Sequence, residues 1–380
     1  MDVVEGMNME QRDWTNVPEE LLTLILSHLF LDDARRFRNV CRTWKSVPDP
    51  IEQSPIRFPV PQSQWLMHKD LSRGTCKFSH PVYRDAYCLG SPELSGHSQP
   101  SHQPPPGGDT VISSVLRFSK GGWLLMSKGR FSVFFYNPFT KAKMYLPLVP
   151  DPERYVLRVI TFLSTPASPD CLVFGLSALF YRHVAISIIR RGEKHWNFYR
   201  FENNLPIIPS YCNPVFHKGM FYCLGEGGNL GVFSPEDNQW TVLVKPQKIY
   251  KGGHERYLLE IDGELISVFV RRLGSQISVF RLDETKMAWE EVSDLGDNMV
   301  FISPTNSFSR KKVIEGMQNK IYFSRLHKGC CVFYSLDTKK FHTLLTDFSS
   351  ASLYNTPEQL RSCWIEPSAD HHITEEQLNW

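Results

Sequence analysis

The feature that most constrains this chain of 380 residues is a unit that recurs six times after residue 55. Each copy contains an apolar strand pattern, a polar turn and a last strand pattern that ends near an aromatic residue. The closing aromatic residues are Tyr87, Tyr145, Trp196, Trp240, Trp289 and Phe341. Their spacings of 58, 51, 44, 49 and 52 residues suit one four-stranded sheet per copy, which is the blade of a β-propeller.

This repeat predicts an all-β, six-bladed propeller over residues 56–365, with seven blades as the alternative. A single unit is a small sheet with apolar faces, so neighbouring units must stack radially to bury those faces. The closing aromatic residues fall at strand positions instead of loop tips, and we therefore predict that they fill the space between blades. The alternative role for these aromatic residues is to form a row of surfaces on which sugar rings stack.

Residues 12–50 show the periodicity of short helices instead. Asn16 is a predicted helix cap, Glu19 follows it as in a capping box, and Pro18 falls in the first turn. One apolar stripe follows, formed by Leu22, Ile25, Leu26 and Leu29. Three further leucines lie outside that stripe, namely Leu21, Leu24 and Leu31. One helix face therefore cannot account for all the apolar residues.

A second helix is predicted to open at Asp32 and Asp33, which makes three short helices in this segment. Its apolar stripe consists of Ala34, Phe37, Cys41 and Trp44, with Val40 and Val47 beside it. Units below about 40 residues seldom build a stable core alone, so this excess of apolar surface indicates a partner. The alternative is an ordinary helical hairpin that packs on the rest of the chain.

The same segment resembles an F-box. Val17-Pro18 precedes Glu-Leu-Leu and Ile-Leu-Ser-His-Leu, and Val-Cys-Arg-x-Trp ends at Trp44, in the order of that family. Only the first leucine of the pattern differs, since Val17 replaces it. The resemblance implies docking of a Skp-type adaptor, and through it of a cullin and a RING subunit. The implied adaptor contacts are Val17, Pro18, Leu22, Ile25, Leu29, Val40, Cys41 and Trp44.

The repeats carry a second resemblance. The unit from Gly219 to Trp240 is similar to a kelch repeat, with an apolar strand, a Gly-Gly pair and a following Trp. The other copies lack that Gly pair at the same place and resemble the divergent kelch-like propeller of a large family of plant F-box proteins. Its characteristic phrases stand here at Gly122–Leu125, Asn137–Thr140, Asp262–Leu265 and Asn319–Phe323.

Together the resemblances imply the substrate-recognition subunit of an SCF-type ubiquitin ligase, in which the propeller binds a protein substrate. No residue of the chain would then be catalytic, and no cofactor or metal is expected. The substrate and the residues that bind it stay unknown, because specificity resides in loops. The alternative is a carbohydrate-active or ligand-binding propeller with a merely structural helical segment. An F-box protein that acts outside a ligase is a third option.

Two segments are predicted to be flexible. Residues 91–110 are rich in Ser, Pro, Gly, His and Gln and form an expected mobile loop between the first two blades. Residues 366–380 form an expected flexible tail. His97 and His102 lie in the loop but lack a third ligand, so they are a poor metal site.

Composition excludes several other classes. The net charge of +2 and the scattered basic clusters indicate no nucleic-acid partner, and no apolar run reaches the ~18 residues of a membrane span. The acidic first residues do not resemble a signal peptide. Nine cysteines without a Cys-x-x-Cys pair favour reduced thiols, and hence the cytoplasm and/or the nucleus. We found no motif of a serine hydrolase, a zinc protease or a P-loop.

Overall fold

The computed structural model describes residues 14–28, 37–47, 64–70, 75–81, 86–90, 114–129, 131–149, 157–179, 182–243, 255–271, 274, 276–312, 315–343, 362–366 and 378–380. The chain forms two compact units, Met1–Pro61 and Gln62–Trp380, and each is described separately. The predicted loop 91–110 lies outside the described residues and stays a prediction.

The described part of the first unit contains a 3-10 turn, Trp14–Asn16, and two α-helices, α1 (Glu19–His28) and α2 (Arg42–Ser46). The start of the predicted second helix, at Asp32 and Asp33, lies outside the described residues, although Phe37 is helical. The prediction of three helices is thus confirmed only for two of them.

Helix α1 begins later than the capping pattern indicates. The carbonyl of Pro18 accepts the first helical hydrogen bond, from the Leu22 amide at 3.0 Å. Asn16 instead lies in the preceding 3-10 turn. Pro18 suits this place because proline has no N–H to leave unpaired at a helix start.

The described residues of the second unit form 25 strands in six sheets, in which the strand pairs are antiparallel except for one parallel pair in the sixth sheet. The first sheet contains β1 (Trp65–Asp70), β2 (Thr75–Ser79), β3 (Ala86–Gly90) and β25 (Ser362–Ile365). The second contains β4 (Val115–Lys120), β5 (Trp123–Lys128), β6 (Ser132–Tyr136) and β7 (Lys143–Tyr145). The third contains β8 (Val159–Phe162), β9 (Leu172–Leu179), β10 (His183–Arg190) and β11 (Asn197–Glu202).

The other three sheets follow in chain order. The fourth contains β12 (Val215–His217), β13 (Met220–Leu224), β14 (Leu230–Ser234) and β15 (Gln239–Val242). The fifth contains β16 (Glu255–Ile261), β17 (Glu264–Val270), β18 (Ile277–Asp283) and β19 (Ala288–Val292). The sixth contains β20 (Asn298–Ser303), β21 (Asn306–Lys311), β22 (Lys320–His327), β23 (Cys330–Ser335) and β24 (Lys340–Thr343). The prediction of six blades is confirmed.

The ring is closed by a strand from the end of the chain. Strand β25 pairs antiparallel with β1, with Leu66 opposite Trp364 and Met67 opposite Cys363. The first blade therefore combines three strands from the start of the propeller with one from its end. Trp364 is fully buried and its indole N–H donates to the carbonyl of Ile302 in the sixth blade, at 3.2 Å.

The sixth blade has one strand more than the others. Strand β20 pairs parallel with β22, and the additional strand β21 forms a hairpin on the other side of β20. Many contacts between sheets join the strand at one edge of each sheet, such as β4 with β8 and β12 with β16, so these edge strands surround the central axis. Strand β21 contacts both β16 and β4. It therefore occupies part of the central channel.

Four hairpin turns place two successive residues in the left-handed region. They are Gly121-Gly122, Lys218-Gly219, Asp262-Gly263 and Lys328-Gly329. Such pairs build type I′ turns, whose twist matches that of the flanking strands. Glycine at the second position meets this requirement without steric strain.

Four of the six closing aromatic residues are buried as predicted, namely Trp196, Trp240, Trp289 and Phe341. Each of the three tryptophans donates its indole N–H to an acceptor in the preceding blade. Trp196 donates to the Pro147 carbonyl at 2.8 Å, and Trp240 donates to Asn203 Oδ1 at 2.8 Å. Trp289 donates to the Gly228 carbonyl at 3.1 Å. These bonds satisfy the one polar atom of each ring, so burial carries no penalty for an unpaired donor.

The prediction is wrong for Tyr145, which is 57% exposed. The neighbouring Met144 is buried in its place, because successive residues of a strand point to opposite sides of the sheet. The Tyr145 ring lies 5.4 Å from Phe134 and accepts a cation–π contact from Lys143 at 4.6 Å. The side chain of Tyr87 lies outside the described residues.

Described parts of the predicted flexible tail are packed. Glu366 bonds Arg310, and Leu378 and Trp380 pack on the core between the second and third blades. The Trp380 ring stacks on Phe135 at 5.9 Å. Aromatic contact area explains why these positions differ from the flexible tail predicted for residues 366–380. Residues 367–377 lie outside the described residues.

Candidate functional site

Helix α1 has two apolar faces. Leu22 and Leu26 are fully buried and form a small core with Phe37 and Val47. Leu21 and Leu24 point to the other side of the helix and are 51% and 54% exposed. Two of the three leucines outside the predicted stripe are thus exposed, in agreement with the prediction that one face could not hold them all, and the third, Leu31, lies outside the described residues.

The Val-Cys-Arg-x-Trp motif connects the two helices. Cys41 is the extended residue before α2, and its carbonyl accepts a bond from the Lys45 amide at 3.0 Å. The Trp44 ring lies 4.6 Å from the Phe37 ring, and its indole N–H donates to the carbonyl of Trp14 at 2.8 Å. The tryptophan of the motif therefore ties the first turn of the segment to its last helix.

The predicted adaptor contacts fall into three groups. Pro18 and Val40 are exposed, and Val17, Ile25, Cys41 and Trp44 are half-buried. Leu22 is fully buried, so in this structure it supports the core of the unit and presents no surface. Leu29 lies outside the described residues.

Sequence reasoning did not name Trp14, Leu21 or Leu24 as contacts. All three are more than half exposed, like Val40 at 55%. For Leu21 and Leu24, the signal in the sequence was the number of leucines in this segment, which exceeds what one helix face can bury. Exposed large apolar residues concentrated on so small a unit are typical of a protein interaction site.

The propeller has a pocket of about 460 Å³ at its axis. All six sheets contribute to its wall, through Lys120 (β4), Phe162 (β8), Phe216 (β12), Glu260 (β16), Arg310 (β21) and Glu366, which follows β25. No single repeat could build this pocket, since each blade supplies only a few of its residues. Its volume exceeds the about 270 Å³ of a second pocket, which lies elsewhere in the propeller.

A buried polar network forms one side of the pocket. The Asn306 side-chain amide donates to Ser119 Oγ and to the Trp364 carbonyl, each at 2.8 Å. Ser119 Oγ also donates to the Trp364 carbonyl at 2.6 Å, and Ser303 Oγ donates to Asn306 Oδ1 at 2.5 Å. The network joins β4, β21 and the closing strand β25, and its groups satisfy one another.

Carboxylates and cations of the pocket are mostly paired. Arg310 donates to Glu366 Oε1 from Nε at 2.8 Å, and Gln64 donates to the same oxygen at 2.9 Å. Lys311 lies 2.7 Å from Asp262 Oδ2. The hydrogen bonds from Lys311 and Asn298 lower the pKa of Asp262.

His217 is a buried histidine between two carboxylates. Its Nδ1 lies 2.8 Å from Glu260 Oε2 and its Nε2 lies 3.2 Å from Glu284 Oε1, while the ring is 2% exposed. Lys218 also contacts Glu284 at 2.8 Å, and its bond is the largest cause of the lowered pKa of Glu284. Both ring nitrogens can donate to carboxylates only in the imidazolium form.

Lys120 differs from the other cations of the pocket. Its Nζ donates to the carbonyl of Leu163 at 2.6 Å. Desolvation by the surrounding pocket wall lowers its pKa, and the negative charge of Glu366 partly opposes that effect. The residue nevertheless stays exposed to solvent.

A second pocket of about 270 Å³ lies near the other end of β16, lined by Tyr211, Glu226 and Glu255 among others. Tyr211 is 72% exposed, and the Arg158 guanidinium lies 4.2 Å above its ring. Arg158 also pairs with Glu226 at 3.2 Å. Burial raises the pKa of the nearby Cys212 thiol to about 11, which makes it a poor nucleophile.

The described residues contain neither a metal-binding cluster nor a membrane-spanning helix. No group of three or more His, Cys, Asp or Glu side chains could hold a metal ion there. No described helix is long and apolar enough to cross a membrane.

Comparison with known proteins agrees with both units. The F-box domain model matches residues 14–49, and the KIB1-4 beta-propeller model matches residues 97–343, which is more than half of the chain.

Relatives occur in Arabidopsis thaliana. The F-box/kelch-repeat protein At1g57790 is 28% identical, over 93% of this chain and 94% of the relative. The F-box/kelch-repeat protein At3g18720 is 29% identical, over 81% and 78%. The F-box/kelch-repeat protein KIB1 is 23% identical, over 80% and 75%. The predicted resemblance to plant F-box propeller proteins is confirmed, and the chain belongs to the KIB1-4 β-propeller family with an F-box domain at its N-terminal end.

Proposed function

We propose that this protein is the substrate-recognition subunit of an SCF-type ubiquitin ligase. Its F-box unit docks a Skp-type adaptor, which links it to a cullin and a RING subunit. Its propeller binds a protein substrate. An F-box joined to a propeller supports a substrate-adaptor role in general, and the F-box/kelch-repeat relatives have the same combination.

The observation that supports docking is the exposed apolar surface of the F-box unit. Trp14, Leu21, Leu24 and Val40 are all more than half exposed, although the buried core of the described unit consists of only four residues. A stable protein interface buries about 800 Å² on each partner, with apolar residues in its centre. A partner that covers these side chains would therefore complete the unit.

The role assigned to the propeller is positional. A ligase adaptor accelerates ubiquitin transfer by holding the substrate near the conjugating enzyme, so the effective concentration rises without covalent chemistry on this chain. Neither F-box/kelch relatives nor the described residues point to an enzyme, and typical members of this class are non-catalytic adaptors. The proposal places the protein in the cytoplasm or the nucleus, where free thiols like those of its described cysteines persist.

Co-purification with a Skp-type adaptor tests the proposal. We expect the full chain to co-purify, and the double substitution Leu21→Glu and Leu24→Glu to abolish it, because both changes bury charge in an apolar interface. The control is Leu148→Glu, which places one such carboxylate on a propeller leucine that is 71% exposed. This control should co-purify normally.

The choice of residues avoids a confounding loss of fold. Replacing Pro18, Ile25 and Trp44 together by Ala should also prevent adaptor binding, but Ile25 and Trp44 pack on the core of the unit. Hydrogen exchange of the α1 amides shows whether a variant is still folded. If the double variant keeps its α1 protection and still co-purifies at the original level, this docking surface is wrong.

A further inference from the structure

The axial pocket has the dimensions and walls of a ligand site. Its volume of about 460 Å³ falls within the ~300–1,000 Å³ typical of small-molecule sites. Half-buried aromatic rings line it from three strands, Phe118 on β4, Phe216 on β12 and Phe308 on β21. Each of these rings contacts a second aromatic ring, Phe118 with Phe162 at 5.2 Å, Phe216 with Phe221 at 4.9 Å and Phe308 with Phe301 at 5.4 Å.

The charges of the pocket leave one cation without a carboxylate partner. Arg310 pairs with Glu366, Asp262 with Lys311, and Glu260 with His217. Among the described residues, no carboxylate lies within 4.0 Å of Lys120 Nζ, whose hydrogen bond goes to the Leu163 carbonyl. An ammonium group has three donors, so two of them are available to a ligand.

Lys120 and an aromatic residue line the pocket from the same strand. Phe118 and Lys120 lie two residues apart on β4 and therefore on the same face of that strand. Both line the axial pocket. The bond to Leu163, on the neighbouring third blade, restrains the ammonium group at the pocket wall. A cation next to an aromatic wall complements a ligand with a negative end and an apolar body.

We propose that the axial pocket binds a carboxylate attached to an aromatic or aliphatic group, with Lys120 as the contact for the carboxylate and Phe118, Phe216 and Phe308 as the contacts for the apolar part. Two sources have this chemistry, a free small organic acid and the last residue of a polypeptide whose side chain is apolar. The biological meaning of the site rests on the proposed function, since a bound chain end would be part of the substrate.

Calorimetry on the full chain without adaptor tests the pocket chemistry, so its result does not depend on F-box docking. The probes are 3-phenylpropanoate, its neutral amide, and a hexapeptide of glycine and serine that ends in phenylalanine, with a free or an amidated carboxyl end. We expect each free acid to bind at least about tenfold more tightly than its amide, because only the acid forms a charge-assisted hydrogen bond with the ammonium group.

The two acids distinguish the sources. Tighter binding of the peptide acid than of 3-phenylpropanoate assigns the pocket to a polypeptide end. Binding of 3-phenylpropanoate without binding of the peptide acid assigns it to a free organic acid. Either result supports the proposal, and a failure of adaptor co-purification would leave both results valid.

Variants of Lys120 connect the preference to this residue. Lys120→Met keeps the apolar stem but removes the charge, and it should remove the preference for acid over amide. Lys120→Arg should retain it. The matched control is Lys128→Met, on the exposed end of β5, which should behave like the unmodified chain.

The pH dependence gives an independent readout. Acid binding should weaken as the pH rises through the lowered pKa of Lys120, whose surroundings include Glu366, Arg310, Cys171 and Glu260. Lys120→Arg should keep its affinity to higher pH, because a guanidinium stays protonated. A merely structural role of Lys120 would not produce this difference.

Three results would overturn the proposal. The first is that neither acid binds at millimolar concentration, and the second is that acid and amide bind equally. The third is that Lys120→Met, shown to be folded by its circular dichroism, keeps the full acid preference. If Lys120→Met fails to fold, the comparison of acid with amide on the unmodified chain and the pH profile of Lys120→Arg decide the question.

Discussion

The F-box unit and the propeller treat their apolar residues in opposite ways. The described F-box unit buries four apolar residues and leaves Trp14, Leu21, Leu24 and Val40 more than half exposed. The propeller buries the closing tryptophans of three blades, and each of them donates its indole N–H to a hydrogen bond. Trp289, for example, donates to the Gly228 carbonyl. Among the described residues, the small unit exposes as many large apolar side chains as it buries, whereas the propeller buries most of its own.

Closure explains how the propeller covers itself. Every blade needs two neighbours, and β25 provides the first blade with its missing strand by pairing with β1. The Asn306 network then joins this closing strand to β4 and β21 inside the ring. The described residues of the F-box unit include no closing strand of this kind, and a unit of that size has few residues with which to surround its apolar groups.

The largest effect should follow from opening the ring. A chain that ends at Thr343 lacks β25 and the fully buried Trp364, so two blades lose their contact. We expect aggregation or loss of the cooperative unfolding transition in a denaturant titration followed by tryptophan fluorescence. A chain that ends at Glu366 keeps β25 and is the control. If the shorter chain stays monomeric with an unchanged transition, self-closure does not stabilise the propeller.

The second test compares two leucines of α1. Leu22→Ala removes a fully buried side chain and should destabilise the F-box unit by about 2–5 kcal/mol, whereas the exposed Leu24→Ala should cost less than about 1 kcal/mol. Hydrogen exchange of the α1 amides in the full chain measures both. Equal protection in the two variants would contradict the assignment of a buried and an exposed face.

Within the propeller, a glycine permits the close packing of a tryptophan. An added Cβ at Gly231 would lie 2.0 Å from Cη2 of Trp240, whose ring cannot move without breaking its bond to Asn203. Gly231→Ala should therefore cost about 1–3 kcal/mol in unfolding free energy. Gly227→Ala in the same blade is the control, since its nearest neighbour would be 3.6 Å away. Similar midpoints for both variants would show that Trp240 can adapt.

The smallest effect should come from the loop 91–110, which lies outside the described residues. Replacing it by a short Gly-Ser linker should change the unfolding free energy by less than about 1 kcal/mol, because closure entropy depends weakly on loop length. Thermal unfolding of the full chain measures the change. Unfolding of the shortened protein would mean that these residues pack on the propeller, and loss of substrate alone would assign them to recognition.

Local patterns were enough to predict the class of both units. The repeat predicted six sheets and the burial of Trp196, Trp240, Trp289 and Phe341, because a recurring strand pattern reports which residues face the core. The leucine surplus in α1 predicted a second apolar face. The pattern was wrong at Tyr145, where the closing aromatic residue is one position away from the buried Met144. A shift of one residue reverses the face of a strand residue.

The closing strand, the additional strand β21 and the axial pocket had no counterpart in any local pattern. Leu66 and Trp364 are paired across almost the whole propeller sequence, and β21 meets β4 and β16 only after the ring is complete. Lys120 is one of many surface lysines in the sequence, and it becomes distinctive because six blades place aromatic rings and paired carboxylates around it. Periodicity records how each blade buries its own residues, whereas a site on the axis depends on contacts between blades that only the folded ring creates.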